Sequence, residues 1–143
     1  MRTLMNVSVK CEYALRAVLD LSLAEPGFPV RIADIAQRQK VPQKFLETIL
    51  ADLKKQGFLE SRRGAEGGYL LARRAEEITV GEVLRGIEGG RTGRASLETK
   101  GSLESLWNRV DDSIAEVIDR TTFSELARDW RENQAQYVPN WEI

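Results

Sequence analysis

Between Val41 and Leu71 the chain passes from an amphipathic helix, through a glycine stop, into a glycine-tipped hairpin. Few folds accommodate that succession. Pro42 suits the first turn of a helix, where its missing N–H costs nothing. Leu46, Ile49, Leu50 and Leu53 then recur at i, i+3, i+4 and i+7, with Phe45 flanking the stripe. Gly57 supplies the left-handed residue that ends the helix. Two strand-like runs follow, 58–63 and 68–72, around Gly64-Ala65-Glu66-Gly67. Gly64 and Gly67 permit a tight reversal there and let the backbone approach a phosphate closely. Upstream, Arg31 to about Gln39 reads as a shorter helix with Ile32, Ile35 and Ala36 turned inward, closed by Lys40-Val41. Two short helices joined by so tight a turn make a helix-turn-helix, and a hairpin directly after it is a wing.

The outer face of the second of these helices carries Gln43, Lys44, Glu47, Thr48 and Ala51, with Lys54 and Lys55 at its end. Polar groups in the first two turns of a recognition helix point at base edges. Any amphipathic helix has a polar face, so the basic hairpin beside it gives the pattern its direction. The helix enters a major groove, and the hairpin, through Arg62 and Arg63, reaches the neighbouring minor groove. From Arg31 to Arg74, ten Lys+Arg stand against five Asp+Glu, while 89–143 holds seven against ten. A basic segment within a chain of net charge −1 is the electrostatic footprint of a nucleic-acid reader. Scattered solvated charges would produce the same balance.

The reactive groups are few. The chain has no histidine and one cysteine, Cys11. It can form no intrachain disulfide and no Cys/His zinc site, and it lacks the commonest general acid–base. No pair of acids sits in a suggestive setting, so the composition argues against an enzyme, a metal site or a bound cofactor. Cys11 lies on a helix that is apolar on two sides and reads as a small buried hydrophobe. A redox role would require an exposed, electropositive surrounding. With 42% apolar and 30% charged residues over 143 positions, the chain reads as a soluble globular protein with room for one domain, or for a small domain and an oligomerisation element. No apolar run is long enough to span a membrane. Residues 1–7 lack the features of a signal peptide, and the expected location is cytoplasmic.

Around this centre, Ser8 to Ala24 reads as a helix. Tyr13, Ala14, Ala17, Val18 and Leu21 form one apolar face, and Leu15, Leu19 and Leu23 a second. A helix of that kind is buried on two sides, against its own domain and against another element or subunit. Thr79-Val80-Gly81-Glu82 is a capping box opening a helix with Val83, Leu84 and Ile87 inward, ended by Gly86 and Gly89-Gly90. A polar, glycine-rich loop is expected over 89–101. Beyond it, Leu103, Leu106, Trp107, Val110, Ile114, Val117 and Ile118 form one stripe, with Leu103, Val110 and Val117 seven apart as in a coiled-coil seam. This helix has no sheet or bundle of its own to pack on, which favours a homodimer. Thr122-Phe123-Ser124-Glu125 caps a last helix through about Ala135. The expected fold is mostly α with a small β-wing. A winged helix-turn-helix DNA-binding domain covers 1–88, an exposed loop 89–101, and the dimerisation and C-terminal helices 102–143.

Several of these runs together resemble one family. Lys10-Cys11-Glu12-Tyr13-Ala14-Leu15-Arg16-Ala17, Val41-Pro42-Gln43-Lys44-Phe45-Leu46-Glu47-Thr48-Ile49-Leu50 and Arg63-Gly64-Ala65-Glu66-Gly67-Gly68-Tyr69-Leu70-Leu71 are similar to the Rrf2 (IscR/NsrR/CymR) regulators. So are Ile32-Ala33-Asp34-Ile35-Ala36, Ile78-Thr79-Val80-Gly81-Glu82-Val83-Leu84 and the Asp119–Leu126 junction. The resemblance implies a bacterial winged-helix transcription factor, usually a repressor, dimeric through a long C-terminal helix that crosses its partner on a near-palindromic operator. It implies that Gln43, Lys44, Glu47 and Thr48 face base edges or nearby phosphates, with Glu47 accepting from a cytosine N4 amine. The alternative for Glu47 is a surface pairing with Lys44 or Lys54. Arg63 would enter a narrow minor groove, Arg62 would meet phosphate or solvent, and Arg31 phosphate. Cluster-bearing members keep three cysteines in the loop before the dimerisation helix. The corresponding 91–100 has none, so no iron–sulfur cluster is expected. The chain looks closer to CymR-like members that respond to a small metabolite or a partner enzyme, with a thiol signal at Cys11 as a further option. A winged-helix module binding an acidic protein partner is the reading from another class.

Overall fold

A computed structural model describes residues 7–89 and 101–136. Helix α1 (Val9–Leu23) is its axis. Ser8 caps it by accepting from the Cys11 N–H at 3.1 Å. Cys11, Ala14, Ala17, Val18 and Leu21 are buried, and the half-buried Leu15 and Leu19 pack on the same core. Both apolar faces of α1 are covered from within this chain, by α2, α3, α4, α6 and the wing.

Helix α2 (Ile32–Gln39) ends at Lys40, whose left-handed backbone (φ 55°) lets its N–H reach back to the Ala36 carbonyl. Helix α3 (Gln43–Lys55) follows after Pro42, which stands at the N-cap position. Leu46, Ile49, Leu50 and Leu53 are buried as their spacing predicts. Phe45, flanking that stripe, is 59% exposed. The end of α3 is a Schellman closure. Gly57 (φ 88°) donates to the Lys54 carbonyl and Phe58 to that of Leu53, each at 3.0 Å. That turn sends Phe58 into the core and starts the wing at once.

Strands β1 (Leu59–Arg62) and β2 (Gly68–Leu71) pair antiparallel, Leu59 opposite Leu71 and Arg62 opposite Gly68. Val30, in the segment before α2, exchanges two backbone hydrogen bonds of 2.8 Å with Tyr69 and ties that segment to the wing. Gly68 permits the approach, because a Cβ there would collide with the Val30 carbonyl.

Helix α4 (Val80–Glu88) begins with the expected capping box. Thr79 Oγ1 accepts from the Glu82 N–H at 3.2 Å, and Glu82 Oε2 accepts from the Thr79 N–H at 3.1 Å. Gly86 does not end this helix, as the sequence suggested. It lies inside it, and the left-handed Gly89 closes the end. Gly86 serves packing instead, since its bare Cα leaves room for Gln56, whose Nε2 donates to the Gly86 carbonyl at 2.8 Å. Helix α5 (Ser102–Arg120) and helix α6 (Phe123–Gln136) follow. Between them, Val80 donates to the Thr121 carbonyl (2.9 Å) and Phe123 to that of Ile78 (3.0 Å). Helix α6 then folds back on α1, burying Phe123 and Ala127 completely or nearly so. The loop expected over 89–101, apart from its two ends, and the chain after 136 lie outside the described residues, as do residues 1–6.

One charged group is buried among the described residues. Asp20 of α1 is 4% exposed and accepts from Arg38 Nε (3.0 Å), Arg38 Nη2 (2.9 Å) and Gln39 Nε2 (3.0 Å). A bidentate guanidinium satisfies the carboxylate where an unpaired one would be costly. It clamps α1 to the last turn of α2. The visible sign of it in the sequence is an acid set among Val18, Leu19 and Leu21.

Candidate nucleic-acid interface

Helix α3 has two exposed flanks with different neighbours. Lys54 Nζ donates to Ser61 Oγ of β1 at 2.7 Å, which sets the flank of Gln43, Glu47 and Lys54 beside the wing. On the other flank Asp52 pairs with Lys10 of α1 at 3.4 Å, and the Phe45 ring stands against Tyr13. Lys44, Thr48, Ala51 and Lys55 run along the ridge between, all exposed. Among the described residues neither Lys44 nor Glu47 makes an ion pair, and Lys54 is taken by Ser61.

At the wing, Arg62 lies 3.6 Å from Glu60 on the same side of β1. Arg63 stands past the strand end on the turn, exposed and without an ion pair among the described residues. The glycines beside it close the turn: Gly64 takes a positive φ of 110°, and Gly67 donates to the Gly64 carbonyl at 3.0 Å. A Cβ on Gly67 would strike the Arg62 carbonyl, so the turn itself needs this glycine. Arg31 caps α2 directly after Val30 and so stands against Gly68, the residue opposite Arg62. The fold thus brings a cationic residue from before the helix-turn-helix alongside the turn end of the wing.

Helix α5 buries none of its 19 residues. Leu103 is 56% and Val117 65% exposed, Leu106 is exposed as well, and Trp107, Val110, Ile114 and Ile118 are half-buried. Its fixed point is Asp119, held by Arg85 of α4 through a pair of charge-assisted bonds, the Nη2–Oδ2 one at 2.8 Å. That guanidinium holds the Asp119 carboxyl below the usual carboxylate range. The sequence reading names Asp119 only as the start of a matching run and does not pair it with Arg85, because nothing in either local run announces a partner so far along the chain.

Cys11 is fully buried with its thiol against the Leu84 carbonyl at 4.0 Å. Burial, assisted by the Glu88 carboxylate, pushes that thiol up to about 12. It stays protonated at neutral pH and lacks the thiolate character of a redox cysteine.

Residues 7–129 match the family described as Rrf2, iron-dependent transcriptional regulator. An HTH-type transcriptional regulator of Mycobacterium tuberculosis is 37% identical over 131 residues, covering 86% of this chain and 81% of the relative. The structure of CymR, the global cysteine regulator of Bacillus subtilis, superposes with a TM-score of 0.79 at 32% identity, covering 86% of this chain and 96% of that one. The T. potens IscR structure gives 0.77 at 36% identity, with 96% and 95% covered. The family description mentions iron, and the donor atoms here do not fit an iron–sulfur cluster. One cysteine and no histidine occur in the whole chain, and that cysteine is sealed under α4. Among the described residues, no three metal-binding side chains of the His, Cys, Asp or Glu type come together.

Proposed function

This chain belongs to the Rrf2 family of transcriptional regulators, and from that premise we propose that it works as a homodimer on a near-palindromic operator, as a repressor. It is a DNA-binding regulator and not an enzyme. No described helix is long and apolar enough to cross a membrane. The observation that carries the reading is the exposed outer face of α3, with Lys44, Glu47 and Thr48 open to a ligand, joined through Lys54 and Ser61 to a wing that ends in Arg63. In this reading α3 lies in the major groove, Arg63 enters the adjoining minor groove, and Arg31 and Arg62 neutralise phosphates. The open stripe of α5 pairs with that of a second copy, which repeats the grip one half-site away.

Glu47 is the sharpest point of this reading. A carboxylate left unpaired on a basic face is repelled by phosphate unless it accepts a hydrogen bond from a base. Sites are to be selected from random duplex DNA with the full chain and with Glu47→Ala. The variant is expected to relax its preference at one base pair per half-site, by about 1–3 kcal/mol of discrimination. An unchanged preference removes Glu47 from base reading. Failure of the wild-type chain to enrich any sequence defeats the DNA-reading assignment of this face and favours an acidic protein partner.

The signal that releases DNA is proposed to be a small metabolite or a partner protein. This accords with similarity to CymR, a cysteine regulator, and with the poor donor set for a cluster. Protein isolated anaerobically is expected to carry no stoichiometric iron and no visible thiolate-to-iron charge-transfer absorption. A coloured, iron-loaded dimer would overturn this.

A further inference from the structure

Phe45 is an anomaly on α3. A ring exposed over 59% of its surface occupies the same helix turns as Lys44, Glu47 and Thr48, and leaving so much apolar surface in water is unfavourable. One side of the ring is held by Tyr13 of α1, with centroids 6.4 Å apart and planes at 43°. The other side is open. Thr48, three residues on, is its neighbour on the next turn and is exposed too. The opposite flank, with Gln43 and Glu47, is polar and leads to Lys54, which bonds to Ser61 of the wing.

We propose that Phe45, with Thr48 beside it, receives the C5-methyl group of a thymine in the major groove, on the side of α3 away from the wing. The inference rests on the DNA-reading assignment and deepens it. The thymine methyl is the one apolar mark that a base pair shows in the major groove, and an aromatic ring or a threonine methyl is a fitting receiver for it. The helix then divides its work. Its wing-side flank reads hydrogen-bonding edges, and its α1-side flank reads a methyl. Tyr13 is a positioning residue that keeps the ring from turning away.

The test leaves the protein unaltered. In sites enriched by the full chain from random duplexes, each thymine is replaced in turn by deoxyuridine, which removes the methyl and keeps the hydrogen-bonding groups. At one position per half-site the wild-type chain is expected to lose about fourfold in affinity, the worth of one buried methyl. Phe45→Ala should bind the thymine and uracil sites equally, measured at low salt where phosphate contacts keep it on DNA. No uracil sensitivity anywhere in the wild type overturns the proposal, whatever the variant does. So does a sensitivity that persists in Phe45→Ala, which would assign the methyl to Thr48. If no sequence is enriched at all, the DNA-reading assignment fails first and takes this inference with it.

Discussion

Replacing Leu106 and Val117 together by glutamate is expected to give a folded monomer whose operator affinity is lower by roughly two to four orders of magnitude. Both side chains are exposed on α5 in the single chain, so the charges disturb no existing core. Across a paired seam the same carboxylates would be buried against apolar partners, and an uncompensated buried charge is strongly destabilising. The loss on DNA follows from geometry. In the proposed dimer one recognition helix and one wing make half of the contacts, and the second half gains its strength from being tethered at high effective concentration. Sedimentation velocity and gel shifts at one fixed salt concentration read the two effects separately. A variant that still sediments as a dimer, or a wild-type chain that is monomeric at micromolar concentration, removes α5 as the dimer seam.

The largest effect on stability is expected at Phe123. Its side chain is completely buried with Ala14, Ala17, Val18, Leu21 and Ile78, and its N–H donates to the Ile78 carbonyl. Phe123→Ala leaves a cavity under the first turn of α6 and should cost about 3–5 kcal/mol. In a chain of this size that lowers the melting temperature by on the order of 10 °C. Helix α6 is expected to come away from α1 first, since Phe123 and Ala127 are its fully covered contacts. Denaturant titration followed by far-UV circular dichroism reads the loss. The exposed Leu103→Ala is the control, expected to change little. A cost below about 1 kcal/mol at Phe123 would mean that the site collapses around the missing ring.

Much of the framework of the candidate site is legible in the sequence. The stripe of Leu46, Ile49, Leu50 and Leu53 located α3, because a buried helix face repeats over one turn and the residues that report it are neighbours in the chain. Gly57 marked its end for the same kind of reason, as a single residue whose backbone freedom closes a turn. The capping box at Thr79 and Glu82 is equally short-range. Gly86 misled because a glycine near a helix end looks like a stop, and the sequence does not say which distant side chain it makes room for. Phe45 reads from the sequence as flanking the apolar stripe, and its neighbour is not written there. It lies round the helix from Leu46, where the Tyr13 ring of α1 meets it.

Sequence alone settled the succession of helices and hairpin, and the shortage of ligands for a cluster. Periodicity, caps and glycine stops act within one or two turns, and a donor atom missing from the chain cannot be supplied by folding. Tertiary structure decided which flank of α3 faces the wing and which faces α1, through Lys54–Ser61 and Tyr13–Phe45. It brought Arg31 alongside the turn end of the wing, clamped Asp20 with Arg38, and turned Phe123 from a helix start into a centre of the core. Each of these joins residues far apart in the chain. Such pairings come from the packing of whole elements, which no local pattern encodes.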